Sequence, residues 1–376
     1  MVLGNALLNA YIDANLMIIF AFLTWAFVHF ILSKLGFYRE FKSMLRLLNS
    51  TFIAVLISPL FVWGLSTLMK TGIFGSHSPM NVSDFAIAVY LDGGFQMKAS
   101  EFEKFLSLRN EWTTEIVSLG STTSLFIMIF LLGGFTISTL RTALSVRRLR
   151  RIIKNSYEWR HFNNIHIRVC ETTQIPFSTR GLRNHYIIMP LALLERSEDL
   201  RMAMAHEFQH IRQGDISWEI ALEFLRPLFF WNPAFILWKR IVDQLRELSC
   251  DQQILSRKKI SIKDYGECLL RVCQNSLKYK DGMPVIVPAI AFARVDRFLL
   301  STNSVSFLKR RVTSLFDLPT EPQAPRKLWF LMLSLMAFVV FSSIIIHTGS
   351  DWSQDRIMLS TIVNLERLDV INGFGR

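Results

Sequence analysis

The stretch SEDLRMAMAHEFQHIRQG, residues 197–214, contains the motif on which the interpretation of the whole chain depends. Acidic residues near its beginning and Gly214 at its end are typical start and stop signals of a helix. On that helix His206 and His210 lie one turn apart on the same face, with Glu207 beside them. Two histidines in this HExxH spacing can bind one zinc ion, and the glutamate can act as the general base of a peptidase. The stretch therefore predicts a helix that carries part of a catalytic zinc site.

A catalytic zinc ion takes three protein ligands and leaves the fourth position to water. The extended motif with a nearby third histidine is absent, because Gln213 and Ile216 occupy its places. Carboxylates on a downstream helix are natural candidates, and Glu247 with Asp251 one turn later meets that description. Glu247 could bind the metal while Asp251 accepts the free N–H of a ligand histidine. Asp215, directly after the HExxH helix, is expected to cap the next helix and not to bind metal.

Apolar residues in the rest of the chain are clustered. Hydrophobic residues make up 51 % of the 376 residues and charged residues 19 %, against about 25 % charged in a typical soluble domain. This composition excludes a disordered or wholly soluble protein. Charge-free runs occur at residues 14–33, 47–69, 116–140 and 328–350, and each is long enough to cross about 30 Å of hydrocarbon. We therefore expect an α-helical membrane protein with four transmembrane helices.

The net charge of +12 is concentrated between the third and fourth runs, because residues 143–327 carry 30 basic and 18 acidic side chains. Basic residues next to a span stay in the cytoplasm. The linker Phe37–Asn49 and the cluster Arg147–Lys154 are therefore expected on the cytoplasmic side, which predicts an N-out, C-out arrangement. We interpret the basic cluster as a contact with anionic lipid, and we expect no direct nucleic-acid partner.

These assignments divide the chain into six parts. They are the first two spans with their short linker (1–71), an extracytoplasmic loop (72–121), the third span (122–142), a cytoplasmic zinc metallopeptidase domain (143–327), the fourth span (328–350) and a short extracytoplasmic tail (351–376). Alternating apolar residues at Ile165–Val169 and the run Tyr186–Met189 predict two strands, which makes the domain α+β. The charge-free stretch Pro227–Trp238 is too short to span, so we expect it to be buried or to lie at the membrane interface.

The chain resembles the BlaR/MecR-type integral-membrane zinc metallopeptidases, which include the β-lactam-sensing receptors. The resemblance extends over roughly residues 10–350 and includes the order of the spans and the place of the peptidase between the third and the fourth. It rests on five elements: Ala205–His210 followed by Gly214 and Asp215, Trp231-Asn232-Pro233, Glu247-Leu248-Ser249-Cys250-Asp251, Pro176–Gly181 with the strand that ends at Pro190, and the basic Leu308–Val312.

The resemblance implies a zincin-like fold of the gluzincin type with one zinc ion per chain. His206, His210 and Glu247 would be its ligands, Glu207 the general base and Asp251 a residue behind the ligands. The strand formed by Tyr186, Ile187, Ile188 and Met189 would lie near the cleft, where it could pair with an extended substrate. The resemblance also implies a location in the bacterial inner membrane. The expected role is signal transduction, by cleavage of the chain itself or of a cytoplasmic or membrane-adjacent regulatory protein such as a transcriptional repressor.

One departure from the family concerns the stimulus. The family's receptors carry a penicillin-binding domain after the fourth span, whereas residues 351–376 contain no Ser-x-x-Lys. We therefore do not expect direct β-lactam sensing, and a separate sensor partner could deliver the stimulus. Two alternatives remain: a membrane quality-control metallopeptidase of the heat-shock type, and a non-catalytic signalling scaffold. Cys250, where the heat-shock type has alanine, and Asn232-Pro233 argue against the first alternative, and the intact Glu207 argues against the second.

Overall fold

A computed structural model describes residues 2–35, 40–70, 82–94, 96–257, 260–278, 290–291, 301–316, 325–346 and 354–371. Parts of the predicted linker, outer loop and fourth span, namely residues 36–39, 72–81 and 347–350, lie outside the described residues. The chain forms two compact units. The first comprises Met1–Ala26, Leu48–Leu132 and Arg326–Arg376, and the second comprises Phe27–Leu47 and Gly133–Pro325.

Among the described residues, three helices are long and apolar enough to cross a bilayer. They are α1 (Val2–Lys34), α2 (Phe41–Lys70) and α5 (Thr122–Asn155). Large apolar side chains such as Phe126 and Ile129 of α5 are exposed, as lipid contact requires. The chain is therefore an integral membrane protein. The fourth predicted span coincides with α11 (Pro325–Ile346), whose apolar described part, Trp329–Ile344, is shorter than the other three.

The predicted outer loop and tail form a small helical cluster in the first unit. Its helices are α3 (Val82–Leu91), α4 (Ala99–Ser118) and α12 (Gln354–Ile371). Apolar residues of the loop and of the tail share one core, formed by Ile87, Ala99, Phe102, Leu359 and Val363. An ion pair between Arg367 and Glu103 at 3.0 Å joins the same helices. The predicted outer loop and the predicted tail are therefore packed against each other within the first unit.

The second unit is organised around a five-stranded sheet in the order β1-β2-β4-β3-β5. Its strands are β1 (Tyr157–Phe162), β2 (Ile165–Cys170), β3 (Phe177–Arg180), β4 (His185–Pro190) and β5 (Ile290–Ala291). Strands β2 and β4 are parallel, and the other neighbours are antiparallel. The two strands predicted from the sequence are confirmed as β2 and β4.

Strand β4 is an interior strand, which corrects the expectation that Tyr186, Ile187, Ile188 and Met189 pair with an extended substrate. All four residues pair with β2, and Tyr186, Ile187 and Ile188 also pair with β3 on the other side. An added strand needs an edge with unpaired N–H and C=O groups. Over Tyr186–Ile188 those groups are already used within the sheet.

Helices cover both faces of the sheet, because successive side chains of a strand point to opposite faces. The end of α5 covers one face, where Leu149 packs in a core with Cys170, Phe177 and Ile188. On the other face Ile167, Ile187 and Met189 pack against a larger helical layer. The helices that contribute to this core are α6 (Ser197–Gln213), α8 (Pro233–Leu255), α9 (Ile262–Lys278) and α10 (Ser301–Phe316). Helix α7 (Asp215–Leu225) connects α6 to α8.

Candidate metal centre

Helix α6 carries the HExxH motif and has nearly the bounds that the sequence predicts. It ends at Gly214, whose left-handed φ of 75° terminates the helix. His206, Glu207 and His210 are all fully buried. The one-turn spacing brings Nε2 of His206 to 2.9 Å from Nε2 of His210. The two imidazoles therefore converge on one point in the interior of the second unit.

Helix α8 brings Glu247 to the same point. Asn232 caps this helix by accepting hydrogen bonds from the backbone N–H groups of Ala234 and Phe235, at 3.0 and 3.3 Å. The carboxylate of Glu247 lies 3.3 Å from Nε2 of His206 and 3.6 Å from Nε2 of His210. Zinc bonds of about 2.0–2.2 Å in tetrahedral geometry place ligand atoms about 3.4 Å apart. The two nitrogens and the carboxylate thus have the chemistry and approximate spacing of a zinc ligand set.

Acidic and phenolic groups hold the far side of each imidazole. Nδ1 of His206 lies 2.8 Å from the hydroxyl of Tyr265 and 3.3 Å from Oδ1 of Asp251. Nδ1 of His210 lies 2.9 Å from Oδ2 of Asp215. When each Nδ1–H donates to these oxygens, the lone pair of Nε2 points to the shared site. Two lone pairs that face each other at 2.9 Å are satisfied either by a proton shared between the nitrogens or by a metal cation.

The position of Asp215 differs from the sequence-based expectation. The N-cap of α7 is Gly214, and the Asp215 side chain makes no capping hydrogen bond. Its carboxylate instead contacts a histidine of the preceding helix. Gly214 makes this possible, because the reversal of the chain at its left-handed backbone returns Asp215 to the end of α6.

Cys250 also belongs to this cluster. His206, His210 and Cys250 form a candidate metal site, since their ligand atoms lie within 4.8 Å of one another. The Sγ atom of Cys250 is 3.5 Å from Nδ1 of His206. That nitrogen faces Tyr265 and Asp251, not His210. Glu247 lies within 3.6 Å of both Nε2 atoms, and the Cys250 thiol lies within reach of both histidines, so these two residues are the candidates for the third ligand.

Two further residues of the site, Tyr265 on α9 and Arg311 on α10, were not identified from the sequence. Tyr265 donates a hydrogen bond of 2.6 Å to Asp251. Arg311 donates two hydrogen bonds of 2.8 Å to Asp251 and lies 2.9 Å from Oε2 of Glu247. Arg311 belongs to one of the segments that carry the family resemblance, whereas nothing in the sequence pattern distinguishes Tyr265.

The site attracts positive charge. Burial acts to raise the pKa of Glu247 and of Asp251, but the Arg311 guanidinium and the histidines outweigh it, so both pKa values lie below their usual range. Burial lowers the pKa of His210, but the neighbouring Cys250 and the hydrogen bond to Asp215 outweigh it and raise that pKa to about 10. Ionised carboxylates around imidazoles that favour a bound proton form an environment suited to a metal cation.

Glu207 differs from its neighbours, because neither of its buried carboxylate oxygens has a hydrogen-bond partner among the described residues. Ser178 of β3 lies beside it. Burial raises the pKa of Glu207 above its usual range, although His206 and His210 act in the opposite direction. A buried carboxylate without partners implies a water or a substrate group at that place, and a raised pKa suits a general base.

The comparison with protein families agrees with this site. The model of the family described as BlaR1 peptidase M56 matches residues 51–291, which is more than half of the chain. The matched segment contains α6, α8 and all five strands, and it ends before Arg311. No curated protein sequence matches the chain.

Proposed function

The chain belongs to the family described as BlaR1 peptidase M56, and from that premise we propose that it is a membrane-embedded zinc-dependent endopeptidase of signal transduction. Its substrate is the chain itself or a regulatory protein such as a transcriptional repressor. The observation that carries this proposal is the convergence of the two Nε2 atoms and the Glu247 carboxylate beside the unpartnered Glu207.

His206, His210 and Glu247 would hold one zinc ion per chain. When bound, zinc acidifies a water molecule and polarises the carbonyl of the scissile peptide bond. Glu207 takes up the proton that the attacking water loses and delivers it to the leaving amine. Asp251, Asp215 and Tyr265 keep the imidazoles oriented with Nε2 toward the site. Arg311 holds Glu247 and Asp251 in their ionised forms.

Strand β5 supports the idea that the chain is its own substrate or inhibitor. Ile290 and Ala291 pair antiparallel with Ser178 and Phe177 at the outer edge of β3. Ser178 lies beside Glu207. A segment of the same chain thus occupies the sheet edge next to the general base, in the extended conformation that a peptide substrate needs.

The packing of the first unit supports the four-span arrangement. The outer loop and the tail share a core, so they lie on one side of the membrane. Between them the chain crosses once in α5, and a second crossing must return it. Among the described residues between α5 and α12, α11 is the apolar helix available for that crossing. With Arg147–Lys154 in the cytoplasm, both termini are outside and the domain at residues 143–327 is inside.

The proposal is tested with Glu207→Gln in native membranes, beside wild type and the matched control Glu198→Gln. Glu198 is an exposed acid on the same helix. New N-termini of membrane and cytoplasmic proteins, and fragments of the chain itself, are identified by mass spectrometry. We expect wild type and Glu198→Gln to generate the same fragments and Glu207→Gln to generate none, with equal zinc content in all three proteins. Identical fragments in all three would refute the peptidase. Cleavage of one or a few regulators, and not of many misfolded membrane proteins, distinguishes signalling from quality control.

A further inference from the structure

The connection between α7 and α8 exposes a group of large apolar side chains. Residues 227–238, PLFFWNPAFILW, include no charged residue. We call residues 224–238 the α7–α8 tip. Its large exposed apolar residues are Phe224 (73 %), Leu228 (43 %), Trp231 (40 %), Ile236 (51 %) and Leu237 (45 %). Arg226 is exposed as well, and its guanidinium lies 3.4 Å from Glu223. Single exposed apolar residues are ordinary, but a contiguous group of this kind marks a contact surface.

Phe230 places this tip beside the membrane-spanning part of α5. A Cβ atom built on Gly134 would lie 2.1 Å from Cε2 and Cζ of Phe230, so only glycine permits this contact. Gly134 lies in the charge-free run 116–140 and precedes Arg141, the first charged residue after that run, by seven residues. Seven residues correspond to about 10 Å along a helix. Phe230 therefore lies at a depth where α5 is surrounded by hydrocarbon.

The charged groups at the base of the tip are paired with one another. Lys239 lies 2.8 Å from Glu219 and 3.0 Å from Glu223, and Arg246 lies 2.8 Å from Glu219. Pairing lowers the cost of bringing charges near a low-dielectric medium. The exposed Arg240 follows the tip and can reach lipid phosphates with its long side chain.

The backbone of the tip satisfies most of its own hydrogen bonds. The N–H groups of Leu228 and Phe229 donate to Leu225 O, at 3.0 and 3.3 Å, and that of Asn232 donates to Phe229 O at 3.1 Å. The Asn232 side chain accepts from the next two N–H groups of α8, and Pro227 and Pro233 have none to satisfy. A chain segment can lie in hydrocarbon only when its backbone N–H and C=O groups are hydrogen-bonded within the protein.

We propose that the α7–α8 tip is inserted into the cytoplasmic leaflet of the bilayer beside α5. Its occupant is lipid: hydrocarbon around Phe224, Leu228, Ile236 and Leu237, and the headgroup boundary around Trp231. The second unit is thus attached to the membrane at a point separate from its connections to the spans.

The tip also determines where the candidate metal centre lies. Glu247 follows Pro233 by fourteen residues on α8, which is about 21 Å along the helix. If the proposed function holds, the substrate bond is therefore cut close to the inner membrane surface, and a membrane-adjacent substrate fits the site best. The insertion itself does not depend on peptidase activity.

The test measures depth in the full-length protein, reconstituted in nanodiscs that contain anionic lipid. Nitroxide labels are attached at Leu228→Cys and Ile236→Cys, one at a time, and the native cysteines are all buried. Two exposed positions serve as references: Ile137→Cys in the span of α5 for hydrocarbon and Leu182→Cys in the β3–β4 turn for water. Accessibility to oxygen and to a water-soluble nickel chelate is measured for each label by power saturation.

We expect the labels at 228 and 236 to behave like the label at 137, accessible to oxygen and protected from nickel. Nickel accessibility equal to that of position 182 would show that the tip lies in water and would overturn the proposal. Protection from both reagents would show that protein, such as a second copy of the chain, covers the tip, and would overturn it as well. A single peak in size-exclusion chromatography and a melting temperature equal to that of the unlabelled protein verify that each labelled protein is folded. The depth measurement does not use peptidase activity. The same labels in Glu207→Gln, which the proposed function expects to be inactive, should therefore give the same depths as in the wild-type background.

Discussion

Two buried clusters of ionisable residues lie against α8. Arg246 and Glu247, which are adjacent on that helix, belong to different clusters. Arg246 belongs to the cluster at the base of the α7–α8 tip, where oppositely charged groups neutralise each other directly. Glu247 belongs to the candidate metal centre, where two imidazole nitrogens face a carboxylate and Glu207 has no hydrogen-bond partner among the described residues. Burial and charge are similar in the two clusters. The difference is that the first consists of opposite charges in direct ion pairs, whereas the second leaves both carboxylate oxygens of Glu207 without a hydrogen-bond partner among the described residues.

The largest effect is expected at Glu247, the third ligand that we propose for the candidate metal centre. Glu247→Gln removes the anionic oxygen that faces both Nε2 atoms, so zinc and all peptidase activity are lost. Cys250→Ser is the matched comparison, because its side chain faces Nδ1 of His206 and its loss should leave zinc bound. Zinc per chain is measured by mass spectrometry after dialysis. Loss of zinc in Cys250→Ser, with zinc retained in Glu247→Gln, would assign the ligand to Cys250.

The second cluster should respond in stability and not in chemistry. Glu219→Gln leaves Lys239 and Arg246 without a main partner, and breaking such a buried pair costs about 3–5 kcal/mol. We expect a lower melting temperature in detergent, with zinc content and the cleavage products unchanged below that temperature. Glu195→Gln, which removes an exposed acid, serves as the control. Loss of zinc in Glu219→Gln at low temperature would mean that the two clusters are one functional unit.

The next prediction concerns Asp215, whose carboxylate contacts Nδ1 of His210. Asp215→Asn keeps the size of the side chain but removes the negative charge that orients His210. Changes of this kind lower metal affinity or activity by about 10–100-fold. Competition with a chelator gives the affinity, and the rate of fragment formation gives the activity. Asp264→Asn, at the exposed start of α9, should change neither, and an unchanged affinity and rate in Asp215→Asn would remove this residue from the site.

The smallest effect concerns a peripheral ion pair. Asp199 at the start of α6 accepts hydrogen bonds of 2.6 and 3.1 Å from Arg271 of α9. These bonds, together with the Arg271 charge, hold the pKa of Asp199 below its usual range against the effect of burial. A carboxylate whose pKa is lowered by folding stabilises the fold at pH values above its pKa in the unfolded state, which is about 3.9. This contribution disappears as the pH falls through the pKa of the folded state.

Asp199→Asn should therefore lower the free energy of unfolding by about 1 kcal/mol at neutral pH, because the Arg271 side chain is partly exposed and solvent screens the pair. The difference between variant and wild type should vanish as the pH falls below about 4. Melting temperatures across a pH series measure it. A difference that stays constant down to pH 3 would show that the effect comes from packing and not from charge.

Much of the metal centre could be predicted because its elements are local. The bounds of α6 follow from its terminal residues and from Gly214, and the one-turn spacing of His206 and His210 follows from helix geometry. Glu247 and Asp251 are one turn apart on one helix for the same reason. In contrast, Tyr265 and Arg311 come from distant helices, and no local spacing relates them to His206. Asp215 was interpreted by its position after a glycine, which favours a cap but does not show where its carboxylate points.

The sequence by itself determined the membrane character and the helix with the HExxH motif, since hydropathy and helical periodicity act over short distances, and it supplied the residues that we propose as metal ligands. Only the tertiary structure decided that β4 lies inside the sheet, because strand neighbours are set by contacts between distant segments. It also brought both Glu247 and Cys250 within reach of the two histidines. The packing of Phe230 on Gly134 was likewise beyond the sequence, because the close approach of two segments far apart in the chain depends on how every layer between them packs.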